Sequence, residues 1–339
     1  MIARRSAGKD TPTWREQLAQ AYRDPRALLA ALDLDARQVD LSPGAAATFP
    51  FRVTRAYAGR IEPGNAADPL LRQVLPIGAE MHVHADFGAD PVGERKLANH
   101  GNLLQKYAGR ALLVMTGACA IHCRYCFRRT YPYADHSGRS QLERGLAAIG
   151  DDPTIREVIL SGGDPLVLDD DAIADICVRL AAISHVRRVR LHSRLPVVLP
   201  ARLTPRLLAL LGGQRFPVVL VIHANHPQEI DRETTAALTA CHAVGVTLLN
   251  QAVLLRGVND DAEVLGQLCE KLFAAGVLPY YVHLLDRVAG AAHFDVEDPR
   301  ARAIERALRA TLPGYLMPRF VREVAGAAAK LPMHELKDA

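Results

Sequence analysis

Residues 111–126 read ALLVMTGACAIHCRYC, and this stretch is the starting point for the class of fold. A short apolar run comes first, and three cysteines, Cys119, Cys123 and Cys126, follow it closely. An apolar run that ends in glycine and polar residues predicts a buried β-strand, with the cysteines in the loop after it. In barrels of βα units, the loops at the carboxyl ends of the strands carry the chemistry. The stretch therefore predicts a strand that delivers three thiols to a site.

The same rhythm continues along the chain. Apolar, β-branched runs alternate with helical stretches, which is typical of βα units around a parallel sheet. The predicted strands are Ala111–Thr116, Glu157–Ser161, Val186–Ser193, Val218–Ala224, Val246–Leu254 and Leu278–Leu284. Six such units predict an α/β fold, a partial (βα)6 TIM-type barrel.

The organisation of the chain follows from this pattern. Residues 1–105 show helix-capping signals, such as Thr13–Glu16 and Asp24-Pro25, without β-alternation, so we expect a helical N-terminal extension there. The barrel is expected over residues 106–315, and residues 316–339 form a separate C-terminal segment.

Composition and charge exclude several classes of function. The chain has 339 residues, 49% of them hydrophobic and 23% charged, which suffices for a large core. Its formal net charge is only +4 and the basic residues are dispersed, so neither nucleic acid nor an anionic membrane surface is a predicted partner. Met1-Ile2-Ala3-Arg4-Arg5 is followed by polar residues, and no apolar run is long enough to span a bilayer. We therefore expect a cytoplasmic protein.

The six cysteines fall into two groups. Cys177, Cys241 and Cys269 stand singly and are expected to be small apolar residues in helices. The C-x3-C-x2-C group would gather three thiolates on one metal centre in a reducing compartment. Tetrahedral zinc and a cubane cluster both take four ligands, so one position stays open. Structural zinc with His122 as the fourth ligand is the alternative, although a solvated role suits a histidine between two ligands better.

The spacing C-x3-C-x-aromatic-C resembles the motif of the radical S-adenosylmethionine (SAM) superfamily. The resemblance implies that the three cysteines hold a [4Fe-4S] cluster whose open iron binds SAM, with Tyr125 near the adenine. A core aromatic residue is the other interpretation of Tyr125. Ser161-Gly162-Gly163-Asp164, after the second strand, resembles the motif that holds the SAM amino group, although a plain strand-to-helix turn also accommodates paired glycines.

Polar residues also end the next strands. Ser193-Arg194 lies at the end of the third predicted strand, and His223 lies near the end of the fourth. Gln251 lies within the fifth. Any one of these is more commonly a satisfied interior polar residue, but their recurrence predicts a shared site. With Lys106-Tyr107-Ala-Gly-Arg110 and Arg256-Gly-Val-Asn259, they resemble the lysine 2,3-aminomutase family over residues 60–335, most closely its short members that make β-lysine for modification of elongation factor P. The resemblance implies that Ser193, Arg194, His223 and Gln251 bind cofactors.

The resemblance also implies a pyridoxal phosphate (PLP) site and a lysine site. Lys330 aligns with the lysine that carries PLP in a C-terminal loop, although this chain has alanines where the archetypal lysine 2,3-aminomutase has glycines. Arg110 matches an arginine near the cofactor phosphate. Arg128 matches the position that binds the substrate carboxylate, and Asp286 and Glu323 match the two acidic positions that bind the lysine ammonium. Glu323 replaces the archetypal Asp. Without the resemblance, Asp286 and Glu323 would be interpreted as surface carboxylates and Arg110 as a cation at a helix end.

The function implied is that of an isomerase, a radical SAM and PLP-dependent lysine 2,3-aminomutase that converts L-α-lysine to (R)-β-lysine for elongation factor P. Its expected partners are L-lysine, a reducing electron donor of the flavodoxin or ferredoxin type, and, as a candidate, the ligase that attaches β-lysine. The alternatives are an aminomutase that makes (S)-β-lysine for other uses, and a non-enzymatic metal-binding interaction protein. We expect no structural zinc, because the archetype's zinc cysteines have no counterparts, and His82 and His84 suit a solvated strand face.

Overall fold

The structure is a computed structural model that describes residues 12–97, 101–136 and 138–336. Residues 1–11, on which the expected cytoplasmic location partly depends, lie outside the described residues. The α-helices are α1 (Trp14–Ala19), α2 (Pro25–Ala31), α3 (Pro43–Thr48), α4 (Arg55–Ala58), α5 (Pro69–Arg72), α6 (Arg139–Asp151), α7 (Asp170–Ala182), α8 (Leu195–Val198), α9 (Pro205–Gly212), α10 (Arg232–Ala243), α11 (Ala262–Ala274) and α12 (Asp298–Thr311).

One sheet contains the strands in sequence order. They are β1 (Leu103–Tyr107), β2 (Arg110–Thr116), β3 (Glu157–Gly162), β4 (Arg188–Ser193), β5 (Val218–Ile222), β6 (Thr247–Val253), β7 (Val277–His283), β8 (Arg319–Arg322) and β9 (Leu331–Pro332). Strands β2 to β8 are parallel, and β1 and β9 pair antiparallel with β2 and β8. No ladder joins β1 to β9 within the described residues, so the barrel is open.

The predicted partial (βα)6 barrel is confirmed. The six predicted strands are β2 to β7, with ends that differ by at most two residues, and a helix follows each of them. Strand β3 is buried along its whole length, as expected where helices cover a parallel sheet. The sequence analysis missed β1 and the short strands β8 and β9, because two to five residues are too few to establish a period of two.

The N-terminal region folds as short capped helices. Thr13 and Glu16 form the expected capping box at α1, and Asp24 caps α2 with Pro25 in its first turn. Buried residues such as Leu28, Tyr57 and Leu70 belong to the same hydrophobic cluster as strands β2 to β7. The extension therefore packs on the barrel, while the division at residues 105 and 315 remains a proposal, since β1 already begins at Leu103.

The three single cysteines are free and buried in α7, α10 and α11, as expected. None of the helices described over residues 12–97, 101–136 and 138–336 is both long and apolar enough to cross a bilayer.

Candidate active site

A cavity of about 440 Å³ lies inside the barrel. It extends from the cysteine loop, at the carboxyl end of β2, to Arg110 at the amino end of the same strand. Its walls contain nearly all of the residues predicted for the site: Arg110, Cys119, Cys123, Tyr125, Cys126, Arg128, Gly162, Gly163, Asp164, Arg194, His223, Gln251, Asp286, Glu323 and Lys330. Ser193 is the one predicted residue outside this lining, and its hydroxyl donates to Asp164 at 2.7 Å.

The cysteine loop is held by the N-terminal extension. The Arg124 guanidinium donates to both carboxylate oxygens of Glu80, at 2.8 and 2.7 Å, and both side chains are fully buried. Arg124 also donates to the carbonyl oxygens of Phe49 and Ala45, and Arg129 donates to Glu80 at 2.8 Å. A buried ion pair is tolerated only when further hydrogen bonds satisfy its remaining groups, which these bonds provide.

His122 faces the extension as well. Its Nδ1 lies 2.9 Å from the carbonyl oxygen of Pro50, and its backbone N–H donates to the carbonyl oxygen of Arg52 at 3.0 Å. Burial lowers the pKa of His122 to about 4, so the ring is neutral at physiological pH. These contacts give the histidine a positional role in the loop in place of the solvated one that we expected.

The three loop thiols line one cavity but do not converge on one point. Within the described part of the chain, no group of three Cys, His, Asp or Glu side chains has the arrangement that one metal ion requires. A [4Fe-4S] cubane does not require such convergence, because each cysteine binds a different iron. Burial raises the pKa of Cys126 to about 11 and that of Cys119 well above the ordinary range, so bound iron would have to stabilise the thiolates. The donor set, three cysteine thiols on one loop that lines the cavity, fits a cluster.

The glycine pair after β3 lets two loops touch. Gly162 has φ of +119°, a conformation that favours glycine. A Cβ on Gly163 would lie 2.4 Å from the carbonyl oxygen of Ala118, just before the first cysteine. Asp164 accepts from the Ser193 hydroxyl and from the backbone N–H of Arg194 at 2.8 Å. Burial outweighs these hydrogen bonds and raises the pKa of Asp164 to about 6.

Arg194 joins the cysteine loop to a buried polar network. Its guanidinium donates to Cys123 Sγ at 2.7 Å and to the hydroxyl oxygen of Tyr125. The same group donates to Gln73 at 2.8 Å and to Glu229 at 3.0 Å, and Asn225 donates to Tyr125 at 2.6 Å. The sequence analysis missed Gln73, Asn225 and Glu229 as site residues. Of these, only Asn225, at the polar end of β5, carried a recognisable signal.

Lys330 and Glu323 meet because of strand register. Strands β8 and β9 pair Arg322 with Leu331, so the next residues outward, Glu323 and Lys330, face each other and form an ion pair. Glu323 also accepts from Lys106 at 2.7 Å and from the Tyr107 hydroxyl at 3.0 Å. Burial would raise the pKa of Glu323, but the two ammonium groups outweigh it and lower the pKa to about 2.

Arg128 is paired with a residue that the sequence analysis missed. It donates to both carboxylate oxygens of Glu94 at 2.7 Å, and its third nitrogen donates to Ser161 and to the carbonyl of Gly162. Burial alone would lower the pKa of Arg128, but Glu94 holds it above its ordinary value. Glu94 lies in a short 3-10 helix in polar sequence, which carried no signal.

Asp286, in contrast, has no cation within ion-pair distance among the described residues. Burial, with a further contribution from Glu323, raises its pKa to about 7.

The deeper part of the cavity is aromatic and cationic. Arg110 lies over the Tyr107 ring at 4.7 Å, and Arg190, Tyr280 and Tyr281 line the same region. His223 Nε2 lies 2.9 Å from the amide nitrogen of Gln251, so that amide donates to it. His192 and His283 also line the cavity, although the sequence analysis did not assign them. The cavity thus joins a thiol end to a cationic end, with Lys330 in the same wall.

Comparison with known proteins agrees with this geometry. Residues 113–268 match the radical SAM superfamily. The chain is 45% identical to the L-lysine 2,3-aminomutase of Escherichia coli over 94% of both chains. It is 43% identical to that of Haemophilus influenzae over 95% of this chain and 96% of the relative. Among solved structures, Streptococcus suis SuiB bound to S-adenosylmethionine is similar at 14% identity and a TM-score of 0.48, covering 68% of this chain and 53% of SuiB, which is too weak to bear on function.

The two aminomutase matches extend over nearly the whole chain, and the superfamily match contains the cysteine loop and the glycine pair. The chain therefore belongs to the lysine 2,3-aminomutase family of radical SAM enzymes, isomerases that use a [4Fe-4S] cluster, SAM and, characteristically, PLP.

Proposed function

We propose that this chain is a PLP-dependent lysine 2,3-aminomutase that converts L-α-lysine to (R)-β-lysine. The observation that carries the proposal is the single cavity that contains the cysteine loop, Lys330, Arg128 and Asp286. When bound, the cluster with SAM supplies a carbon radical that abstracts hydrogen, and PLP supplies a conjugated system through which nitrogen moves between neighbouring carbons. Cys119, Cys123 and Cys126 would hold the cluster, and Lys330 would hold PLP, with Arg110 at its phosphate.

Substrate recognition in this proposal depends on Arg128 for the carboxylate. The fork of Arg128 that would accept a carboxylate is engaged by Glu94 at 2.7 Å through both of its nitrogens. A bidentate arginine site cannot serve two carboxylates through the same edge. Binding of a substrate carboxylate to Arg128 would therefore displace either Glu94 from this edge or Ser161 and Gly162 from the third nitrogen.

The ammonium end of lysine would be bound by Asp286 and Glu323. Glu323 is neutralised by Lys106 and Lys330, whereas Asp286 lacks an ion-pair partner among the described residues. If Lys330 held PLP through its nitrogen, its free ammonium would no longer pair with Glu323. The two acids, with Lys106 as their remaining cation, would then have a net negative charge available for the substrate ammonium.

The activity is tested with anaerobically reconstituted protein, SAM, a strong reductant and L-lysine. We expect β-lysine from the wild type and none from Lys330→Ala, which should retain the iron of the cluster. Lys271→Ala is the matched control, because the Lys271 ammonium donates to the carbonyl oxygen of Pro227 and does not line the cavity. Formation of β-lysine by Lys330→Ala at the wild-type rate would contradict the assignment of Lys330, and a colourless zinc protein that leaves SAM intact would favour the interaction protein.

The hand of the product is proposed to depend on Glu323, since its side chain is one methylene longer than the archetypal aspartate and displaces the ammonium site. Glu323→Asp should therefore change the ratio of (R)- to (S)-β-lysine or the rate, as measured by chiral chromatography, while the exposed Glu335→Asp should not. An unchanged ratio and rate would discard the role of Glu323.

The proposed destination of (R)-β-lysine is elongation factor P, to which a ligase would attach it. A mass increase of elongation factor P in the coupled reaction tests this destination. The proposed electron donor is a flavodoxin or ferredoxin.

A further inference from the structure

A basic patch lies on the N-terminal extension beside the cysteine loop. It consists of Arg23, Arg52 and Arg55, and the first and last of these are exposed. Among the described residues, no carboxylate lies within ion-pair distance of any of the three. Asp24, which follows Arg23, is engaged as the cap of α2, where it accepts from the backbone N–H of Arg26 at 2.9 Å. The patch therefore keeps its positive charge.

Backbone pairing places two of these charges opposite each other. Tyr22 and Val53 form an antiparallel bridge, with N···O distances of 2.8 and 3.0 Å. The adjoining residues, Arg23 and Arg52, are therefore cross-strand neighbours. Burial lowers the pKa of Arg52, and repulsion from Arg23 lowers it further. Like charges in this position destabilise a fold, so an anionic partner would relieve a repulsion that the chain itself leaves in place.

The third arginine is held against the same bridge. The Arg55 guanidinium lies 3.7 Å from the centre of the Tyr22 ring and donates to the carbonyl oxygen of Gln20 at 3.0 Å. An arginine over an aromatic ring stays charged and is restricted in its orientation. Arg55 thus adds a positive charge in a defined place beside the other two.

The basic patch reaches the cysteine loop through Arg52. Its Nη1 donates to the carbonyl oxygen of Cys119 and its Nη2 to that of Leu18, each at 3.2 Å. The two residues before Cys119, Gly117 and Ala118, are exposed. A protein bound over the patch would therefore lie against a proposed ligand of the cluster. Three charges, on a chain whose formal net charge is only +4, are too few to hold a polyanion such as nucleic acid.

We propose that the basic patch is the docking surface for an acidic one-electron carrier protein. This inference rests on the proposed function, because it requires a cluster at Cys119. After docking, the reduced carrier would lose one electron and the cluster would gain it, with no atom or proton exchanged. Charge complementarity steers such encounters and raises their association rate, and electron-transfer contacts are small, which suits a patch of three residues.

The first test measures binding, which needs no turnover. Oxidised flavodoxin and, separately, an oxidised [2Fe-2S] ferredoxin are titrated into the cluster-containing protein at low ionic strength, with calorimetry as the measurement. We expect Arg23→Glu to weaken binding of the preferred carrier about 3- to 10-fold, and Arg23→Lys to retain it. Added salt should weaken binding to the wild type more than binding to Arg23→Glu, because salt screens the attraction that the variant has lost.

Arg306→Glu is the matched control. Arg306 is an exposed arginine of α12 that has no ion pair among the described residues, so the substitution makes the same change in net charge away from the patch. Its affinity for the carrier should equal that of the wild type.

The second test compares two ways of delivering the electron. Cleavage of SAM is driven either by the reduced carrier or by photoreduced 5-deazariboflavin, which is small and uncharged and does not need a docking surface. We expect Arg23→Glu to slow the carrier-driven reaction at low carrier concentration and to leave the deazariboflavin-driven rate unchanged.

Wild-type affinity of Arg23→Glu for both carriers would overturn the inference, as would equal slowing with both reductants. Binding of polyglutamate as tight as that of the carrier, with the same loss in Arg23→Glu, would also overturn it, because the patch would then be a general anion surface. A wild-type protein that fails to cleave SAM with deazariboflavin would instead overturn the proposed function, while the binding measurements would still decide the docking surface.

Discussion

At the scale of single residues, two of the cationic side chains in the cavity, Arg128 and Lys330, are paired with carboxylates before any ligand is bound. Arg128 forms an ion pair with Glu94, and Lys330 forms one with Glu323. Glu323 also forms an ion pair with Lys106. The physical reason is the desolvation penalty of an isolated buried charge, which is too large for a folded chain to leave uncompensated. In the proposed function, a charged substrate would therefore bind by exchange, replacing a protein partner of Arg128 or Glu323 with one of its own groups.

Asp286 has no ion-pair partner among the described residues, and as a proposed ligand of the substrate ammonium it should make lysine binding depend on pH. Its pKa is raised to about 7, so the carboxylate that attracts an ammonium forms only as the pH rises through 7. The substrate ammonium stays protonated to about pH 10. Lysine affinity should thus increase roughly tenfold between pH 6 and pH 8, since the ionised fraction of Asp286 rises about that much.

Asp286→Asn should bind lysine more weakly and with little dependence on pH over the same interval. Equilibrium binding of lysine at a series of pH values measures both properties. Asp261→Asn is the control, because it retains the cap of α11 and lies outside the cavity. A pH dependence in Asp286→Asn as steep as in the wild type would assign the titration to another group.

At the scale of elements, the site depends on close contact between the loops after β2 and β3. Gly163→Ala would place a Cβ against the backbone of Ala118 and push the cysteine loop away. We expect it to lower the free energy of unfolding by about 1–3 kcal/mol, as overpacking does, and to reduce the iron bound per chain. Urea unfolding and iron analysis measure these effects.

Gly150→Ala is the matched control for this substitution. Gly150 lies in α6 with nothing within 4 Å of the added Cβ, so alanine there should be neutral or stabilising by up to about 1 kcal/mol. Equal losses of iron in the two variants would mean that contact between the loops does not determine cluster binding.

At the scale of the whole molecule, the extension and the barrel act as one body around the cysteine loop. Glu80 of the extension neutralises Arg124 and Arg129 of the loop in a fully buried pair. Glu80→Gln would leave buried arginines unpaired, and we expect the free energy of unfolding to fall by about 3–5 kcal/mol. Cluster retention should fall with it, whereas the exposed Glu62→Gln should leave both unchanged. Wild-type stability in Glu80→Gln would contradict this role of the extension.

The sequence by itself determined the parts of this protein that are encoded locally. The apolar runs predicted β2 to β7, because a buried parallel strand needs a continuous apolar segment, and the capping signals predicted α1 and α2. The cysteine spacing and its position after a strand predicted where the thiols lie. Lys330 was identified through family resemblance, because an isolated lysine among small residues has no local signature.

Only the tertiary structure decided which groups neutralise one another and which remain without partners. Glu94 meets Arg128, and Glu80 meets Arg124, across 34 and 44 residues of sequence, and no local pattern encodes such pairs. Glu323 faces Lys330 because of the register of β8 and β9, which are too short to recognise in sequence. The buried Nε2 atoms of His192 and His283, which have no partner among the described residues, likewise become so only once the strands have converged, because hydrogen-bond partnership is a property of three-dimensional proximity.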